Sequence, residues 1–109
     1  MRVAFDCDGT LVNYDGSLRE DVIRVLLGFA DAGVQVTVWS GGGKSYADSI
    51  LNRILHLYAE DEHDFKELSS KIDAQAKNYD LKPDLAFDDQ YVALGVANIT
   101  IPPNRRRPF

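Results

Sequence analysis

The chain has 109 residues, 45% of them apolar, with five Tyr, five Phe and one Trp; this is material for one hydrophobic core, and it argues against a disordered chain. Seventeen Asp and Glu against twelve Lys and Arg leave a net charge of −5, which excludes a general binder of nucleic acid or anionic membranes. No apolar run reaches the roughly 18 residues of a membrane span, "MRVAFDCDG" has acids where a signal peptide needs an apolar stretch, and the single Cys7 cannot form an internal disulfide, so a cytoplasmic protein is expected.

In chain order, short β-type runs alternate with helical runs, the pattern of a parallel sheet with crossover helices. "RVAFD" (2–6) is nearly all apolar, as in a strand buried on both faces. A polar loop follows, then Ser17 and Glu20 at capping-box spacing, and Val22, Ile23, Leu26, Phe29 and Ala30 on one helical stripe that stops at Gly33. "VQVTVW" (34–39) predicts the second strand. Ser45 and Asp48 repeat the cap spacing, and Ile50, Leu51, Ile54, Leu55 and Tyr58 predict a helix to about Tyr58. The acidic "EDEHD" breaks that pattern. A short strand at "FKEL" (65–68) and a helix from about Ser70 to Tyr79 are predicted next, then strands at "DLAF" (84–87) and "ANITI" (97–101) with a turn or short helical stretch between them. Residues 1–101 are thus expected to form one domain. The Pro- and Arg-rich end at 102–109 cannot pair regularly, because proline lacks the N–H a ladder needs; its Arg105–Arg107 run is a solvated tail or a contact for a subunit or an anionic substrate.

Ligands of open parallel α/β sheets bind beyond the carboxyl ends of the strands. The residues there are Asp6, Cys7, Asp8, Gly9 and Thr10 after the first strand, Ser40 and Gly41 after the second, and Asp88 and Asp89 after 84–87. Two like charges about 4 Å apart repel by about 4 kcal/mol at an effective dielectric of 20, so four gathered carboxylates need protons, cationic side chains or a metal. An all-oxygen ligand set points to Mg²⁺, and one Cys with two His in no recognisable spacing points away from zinc. The stretch "WSGGGKS" (39–45) looks like a nucleotide-binding loop, but GxxxxGK[ST] would need glycine where Val38 stands. Ser40 and the Gly41 N–H remain candidates for holding a phosphate oxygen.

On these residues the chain resembles the haloacid dehalogenase (HAD) superfamily: "FDCDGTLV" is similar to its DxDGT signature, "VTVWSGG" to its second motif and "LAFDD" to its fourth, in family order from residue 3 to 89. The resemblance implies an α/β, three-layer Rossmann-like (HAD-like) fold, with a mainly parallel central sheet and helices on both faces. Only 29 residues separate Thr10 from Ser40, so no cap domain is expected and the site is open unless neighbouring subunits of a homo-oligomer cover it. The implied activity is Mg²⁺-dependent hydrolysis of a phosphomonoester, carried by a small molecule or an exposed macromolecular phosphate. In that scheme Asp6 is the nucleophile and forms a phosphoaspartate, and Asp8 is the general acid and then base. The metal is held by Asp6, by Asp88, by Asp89 as a second ligand or as an outer anchor, and by Asp8, the last through its carbonyl more than its side chain. Gly9 lets the loop turn its N–H groups to the phosphate, and Thr10 braces that loop by hydrogen bonding.

Cys7, at the x of DxD, reads as a small hydrophobe. The active-site lysine of the family is expected at Lys71, with Lys77 and Lys82 as the alternatives. Unlike many members, the chain has no further acid just beyond Asp88-Asp89. A phosphotransferase would share every motif. A non-catalytic phosphate-binding or phosphoacceptor module is the alternative from another class; response-regulator receivers use similar residues, but with the acid pair before the acceptor.

Overall fold

The structure, a computed structural model, describes residues 1–102. The Arg105–Arg107 run and, apart from Pro102, the expected tail lie outside the described residues. The elements are β1 (Arg2–Asp6), α1 (Glu20–Asp31), β2 (Gln35–Ser40), α2 (Lys44–Tyr58), α3 (Glu62–Lys71), β3 (Ile72–Ala76), β4 (Leu85–Asp88) and β5 (Ala97–Thr100). The strands form one five-stranded sheet in the order β3-β2-β1-β4-β5, and every pair in it is parallel. This is an α/β architecture consistent with a Rossmann-like fold. From β1 the chain steps outward through β2 to β3, then returns to the other side of β1 at β4. The order therefore reverses between β1 and β4, where parallel sheets open a crevice at the carboxyl ends of their strands.

Strand alternation sorts the core into two clusters. Val3, Phe5, Val36, Val38, Ile72, Ala74 and Phe87 face α1, α2 and α3, and every buried helical residue belongs to this cluster. Phe5 and Phe87 stack with centroids 4.5 Å apart, and Phe29 of α1 meets Phe87 edge-on at 6.2 Å. The other face carries Ala4, Trp39 and Ala86, covered by Leu94 and Leu81 from irregular segments. Helices were expected on both faces, and among the described residues they lie on one. Right-handed crossovers explain the asymmetry: β1–α1–β2 and β2–α2–α3–β3 move across the sheet in the same direction and so place their helices on the same side. The connections at 77–84 and 89–96 are too short to carry a helix across the other face.

Two predicted elements are corrected. The strand predicted at 65–68 lies inside α3, because "EDEHD" starts a helix where it was read as a break. The Asp61 carboxylate accepts a hydrogen bond from the Asp64 N–H at 2.8 Å, and Glu62 and Asp64 sit in the positive first turn. The helix predicted from Ser70 to Tyr79 is β3, whose Ile72 and Ala74 are buried and whose Asp73 and Gln75 are half-buried, a period of two. Neither predicted capping box forms: α1 starts at Glu20 after Arg19, and α2 starts at Lys44 after Gly43, with Asp48 taking the Lys44 ammonium at 2.8 Å. No helix among the described residues is long and apolar enough to cross a membrane.

The Phe5–Phe87 stack joins β1 to β4 at the crevice, so Phe87→Ala is expected to cost about 3–5 kcal/mol. Urea unfolding measures it as a lower midpoint at unchanged slope; a loss below about 1 kcal/mol would show that this stack does not hold the two strands together.

Candidate functional site

β1 ends in Asp6 and β4 in Asp88, adjacent strands of a parallel sheet, so their carboxylates share one rim of the crevice. One oxygen each of Asp6, Asp88 and Asp89 lies within 4.8 Å of the others. Asp6 and Asp88 are buried and Asp89 is partly exposed. The Lys77 ammonium fills the space beside the first two, at 2.9 Å from Asp6 Oδ1 and 2.9 Å from Asp88 Oδ2. The other Asp88 oxygen, Oδ1, accepts the Gln90 N–H at 2.9 Å.

These contacts set the protonation of the site. Burial pushes the Asp6 carboxyl up from 3.8 to about 6; the Lys77 hydrogen bond opposes that rise, and the charge on Asp88 adds to it. Burial pulls the Lys77 ammonium down, but its hydrogen bonds to Asp6 and Asp88 outweigh burial and the net shift is upward. Cys7 is driven to about 12, first by burial and then by the charges of Asp6 and Asp8, and so stays a thiol, as its reading as a small hydrophobe requires.

The loop after β1 is folded around one carbonyl. Cys7 O accepts the N–H groups of Thr10, Leu11 and Val12 at 2.9–3.1 Å, and the Gly9 N–H turns back to Val12 O at 2.8 Å. Gly9 sits at φ +81, and a Cβ there would collide with Asp89 Oδ2; glycine is needed for both the backbone angle and the approach of the Asp89 carboxylate. Thr10 is fully buried, and its Oγ1 has no partner among the described residues, so the loop is braced by its backbone and not by the Thr10 hydroxyl. A second brace is Arg19, a buried side chain whose Nη1 donates to Pro102 O at 2.7 Å and lies 3.5 Å from Gly9 O.

Asp8 has a different partner. It is exposed, it is absent from the three-carboxylate cluster, and its Oδ1 accepts a hydrogen bond from the Tyr46 hydroxyl of α2. Ser40 ends β2 with its Oγ accepting the Gly42 N–H at 2.9 Å, while its carbonyl accepts the N–H groups of Lys77 (2.9 Å) and Gly43 (3.1 Å). Gly41 is exposed at the start of the glycine loop.

The lysine is where the prediction and the structure part. Lys71 closes α3 just before β3 begins, and its ammonium sits 3.4 Å from Glu67. That is the amino end of β3, the opposite edge of a parallel sheet from Asp6 and Asp88. Lys82 lies in the turn before Pro83 at φ 44. Lys77, immediately after β3, is the residue that reaches the acids. The rule that selected the other site residues selects it too, once "IDAQA" is read as a strand. Tyr46 and Arg19 had no motif to mark them.

A six-oxygen shell about 2.1 Å from a Mg²⁺ ion spaces its oxygens roughly 3–4 Å apart. Three carboxylate oxygens within 4.8 Å of one another fit part of such a shell. No protein-family model, curated protein or solved structure matches this chain.

A raised Asp6 pKa has a definite sign. The folded state binds this proton more tightly than the unfolded chain, so the contribution favours folding below about pH 4 and is lost as pH rises through about 6. In chelator, the stability of Asp6→Asn relative to wild type is therefore expected to rise by up to a few kcal/mol between pH 4 and 7. Parallel stability curves from urea unfolding would contradict the shift.

Proposed function

We propose that this chain is a small, capless Mg²⁺-dependent phosphohydrolase of the HAD type, which cleaves a phosphomonoester through a phosphoaspartate on Asp6. The observation that carries the reading is the Lys77 ammonium held between Asp6 and Asp88, with Asp89 beside them, at the point where the strand order reverses. Asp6, Asp88 and Asp89 would hold the Mg²⁺, which when bound neutralises charge on the phosphoryl oxygens as an anionic nucleophile approaches.

Lys77 fixes Asp6 Oδ1, leaving Oδ2 to attack phosphorus in line. The Asp6 O–P bond forms as the ester P–O bond breaks, and the leaving oxygen takes a proton from Asp8. Water then attacks the phosphoaspartate, gives its proton to Asp8, and releases phosphate with Asp6 restored. Tyr46, donating to Asp8 Oδ1, holds that carboxyl in one orientation while its second oxygen exchanges the proton. The Ser40 hydroxyl and the Gly41 N–H would receive phosphoryl oxygens, because the N–H groups of residues 9–12 and of Gly42 and Gly43 already donate within their own loops. A net negative, single-cysteine protein of this kind suits the cytoplasm.

The test is steady-state hydrolysis of an aryl phosphate. Activity should require Mg²⁺, fall by at least about 10³-fold in Asp6→Asn and fall about 10²-fold or more in Lys77→Ala, while Lys71→Ala keeps wild-type rates. Release that is equal in wild type and Asp6→Asn would overturn the proposal. A stable phosphoprotein that forms without turnover would favour the phosphoacceptor alternative.

A further inference from the structure

β5 is the outer strand on the β4 side of the sheet, and all four of its residues are exposed. Ala97 N donates to Asp84 O at 3.0 Å and Ile101 N to Asp88 O at 2.8 Å. The backbone groups of the odd-numbered residues therefore face β4, and by strand alternation those of Asn98 and Thr100 face away from the sheet.

Proteins guard such edges with charges, prolines or bulges. The opposite edge has a guard: β3 carries Asp73, paired with Arg2 at 3.5 Å, and is flanked by Lys71 and Lys77. β5 has none. From Gln90 to Pro102 there is no charged residue, in a chain that is 27% charged. Beside the strand, Tyr91 is 96% and Val96 80% exposed, and Ile99 within it is 42% exposed.

Charge and chain chemistry select the occupant. Pro102, Pro103 and Pro108 donate no N–H, which makes the chain's own end a poor strand for this edge. Each copy carries a net charge of −5, so two copies meet with least repulsion along a segment that contributes none of it. A neutral surface is also self-complementary, as a two-fold axis demands.

We propose that β5 is a self-association edge: two copies pair their β5 strands antiparallel about a two-fold axis and join their five-stranded sheets into one. The outward groups fix the register. Asn98 of each copy exchanges N–H···O=C bonds with Thr100 of the other, which sets the two Ile99 residues opposite each other on the axis. They form a non-hydrogen-bonded pair, in which side chains approach closest. Ile99 is in register with Phe87, so the paired isoleucines lie on the helix-bearing face. Antiparallel pairing sets the carboxyl end of one β5 beside the amino end of the other. The two acidic sites then open on opposite edges of the joined sheet, and each stays uncovered by its partner. None of this depends on the phosphohydrolase reading.

Light scattering over a wide dilution range tests the proposal. Wild type is expected to reach twice the monomer mass at high concentration. Thr100→Pro removes one outward N–H per copy and leaves the β4 ladder intact, and it is expected to weaken the dimer by about tenfold or more. Ile99→Cys provides a check that does not depend on the proline variant folding. With Cys7 fully buried, mild oxidation should give one symmetric disulfide-linked dimer. A wild type that stays monomeric throughout, a dimer that Thr100→Pro leaves unchanged, or an Ile99→Cys protein that does not cross-link would each overturn the proposal.

Discussion

The site depends on one ammonium group. Asp6 and Asp88 are buried at neighbouring strand ends, where two ionised carboxylates would repel each other by several kcal/mol without a cation. Lys77, 2.9 Å from both, supplies that cation. The Asp6 carboxyl nevertheless remains pushed up to about 6, because burial outweighs what one lysine returns. With Asp89 beside them, three ionised carboxylates against one ammonium leave two negative charges, the charge of one divalent cation. The same cluster that is a burden to the folded chain could hold a metal ion.

The topology delivers these groups together, and the cost falls on the second face of the sheet. Two crossovers in one direction leave helices on one side only, so Ala4, Trp39 and Ala86 are covered by Leu81 and Leu94 from irregular chain. Those two irregular segments begin at Lys77 and at Asp89, directly after β3 and β4. The segments that close this side of the core are therefore the ones that begin with two of the site's charges. Gly9 completes the arrangement, since any side chain there would occupy the place of the Asp89 carboxylate.

Much of this was legible in the sequence, for physical reasons that differ from element to element. β1, β2 and β4 announce themselves because buried parallel strands are continuous apolar runs, and the acids that end two of those runs stand out against them. β3 does not: "IDAQA" alternates weakly, with alanines and a glutamine that favour helix as readily as strand. Misreading it moved the expected lysine from Lys77 to Lys71, from one edge of the sheet to the other. The misread acidic stretch before α3 has a similar cause, since acids that break an apolar pattern are also what the first turn of a helix prefers. The Tyr46 hydroxyl on Asp8 and the Arg19 bridge from Gly9 to Pro102 join residues far apart in the chain, and no local spacing encodes them.

Calorimetric titration of the purified chain with Mg²⁺ tests the central claim most directly, because it measures the unbalanced charge of the cluster without assuming any substrate. One Mg²⁺ should bind per chain in wild type, and binding should be lost in Asp88→Asn, which removes a charge from the cluster but keeps a partner for Lys77. Binding that survives Asp88→Asn unchanged, or a wild type that binds no Mg²⁺, would contradict a metal centre built from these three carboxylates.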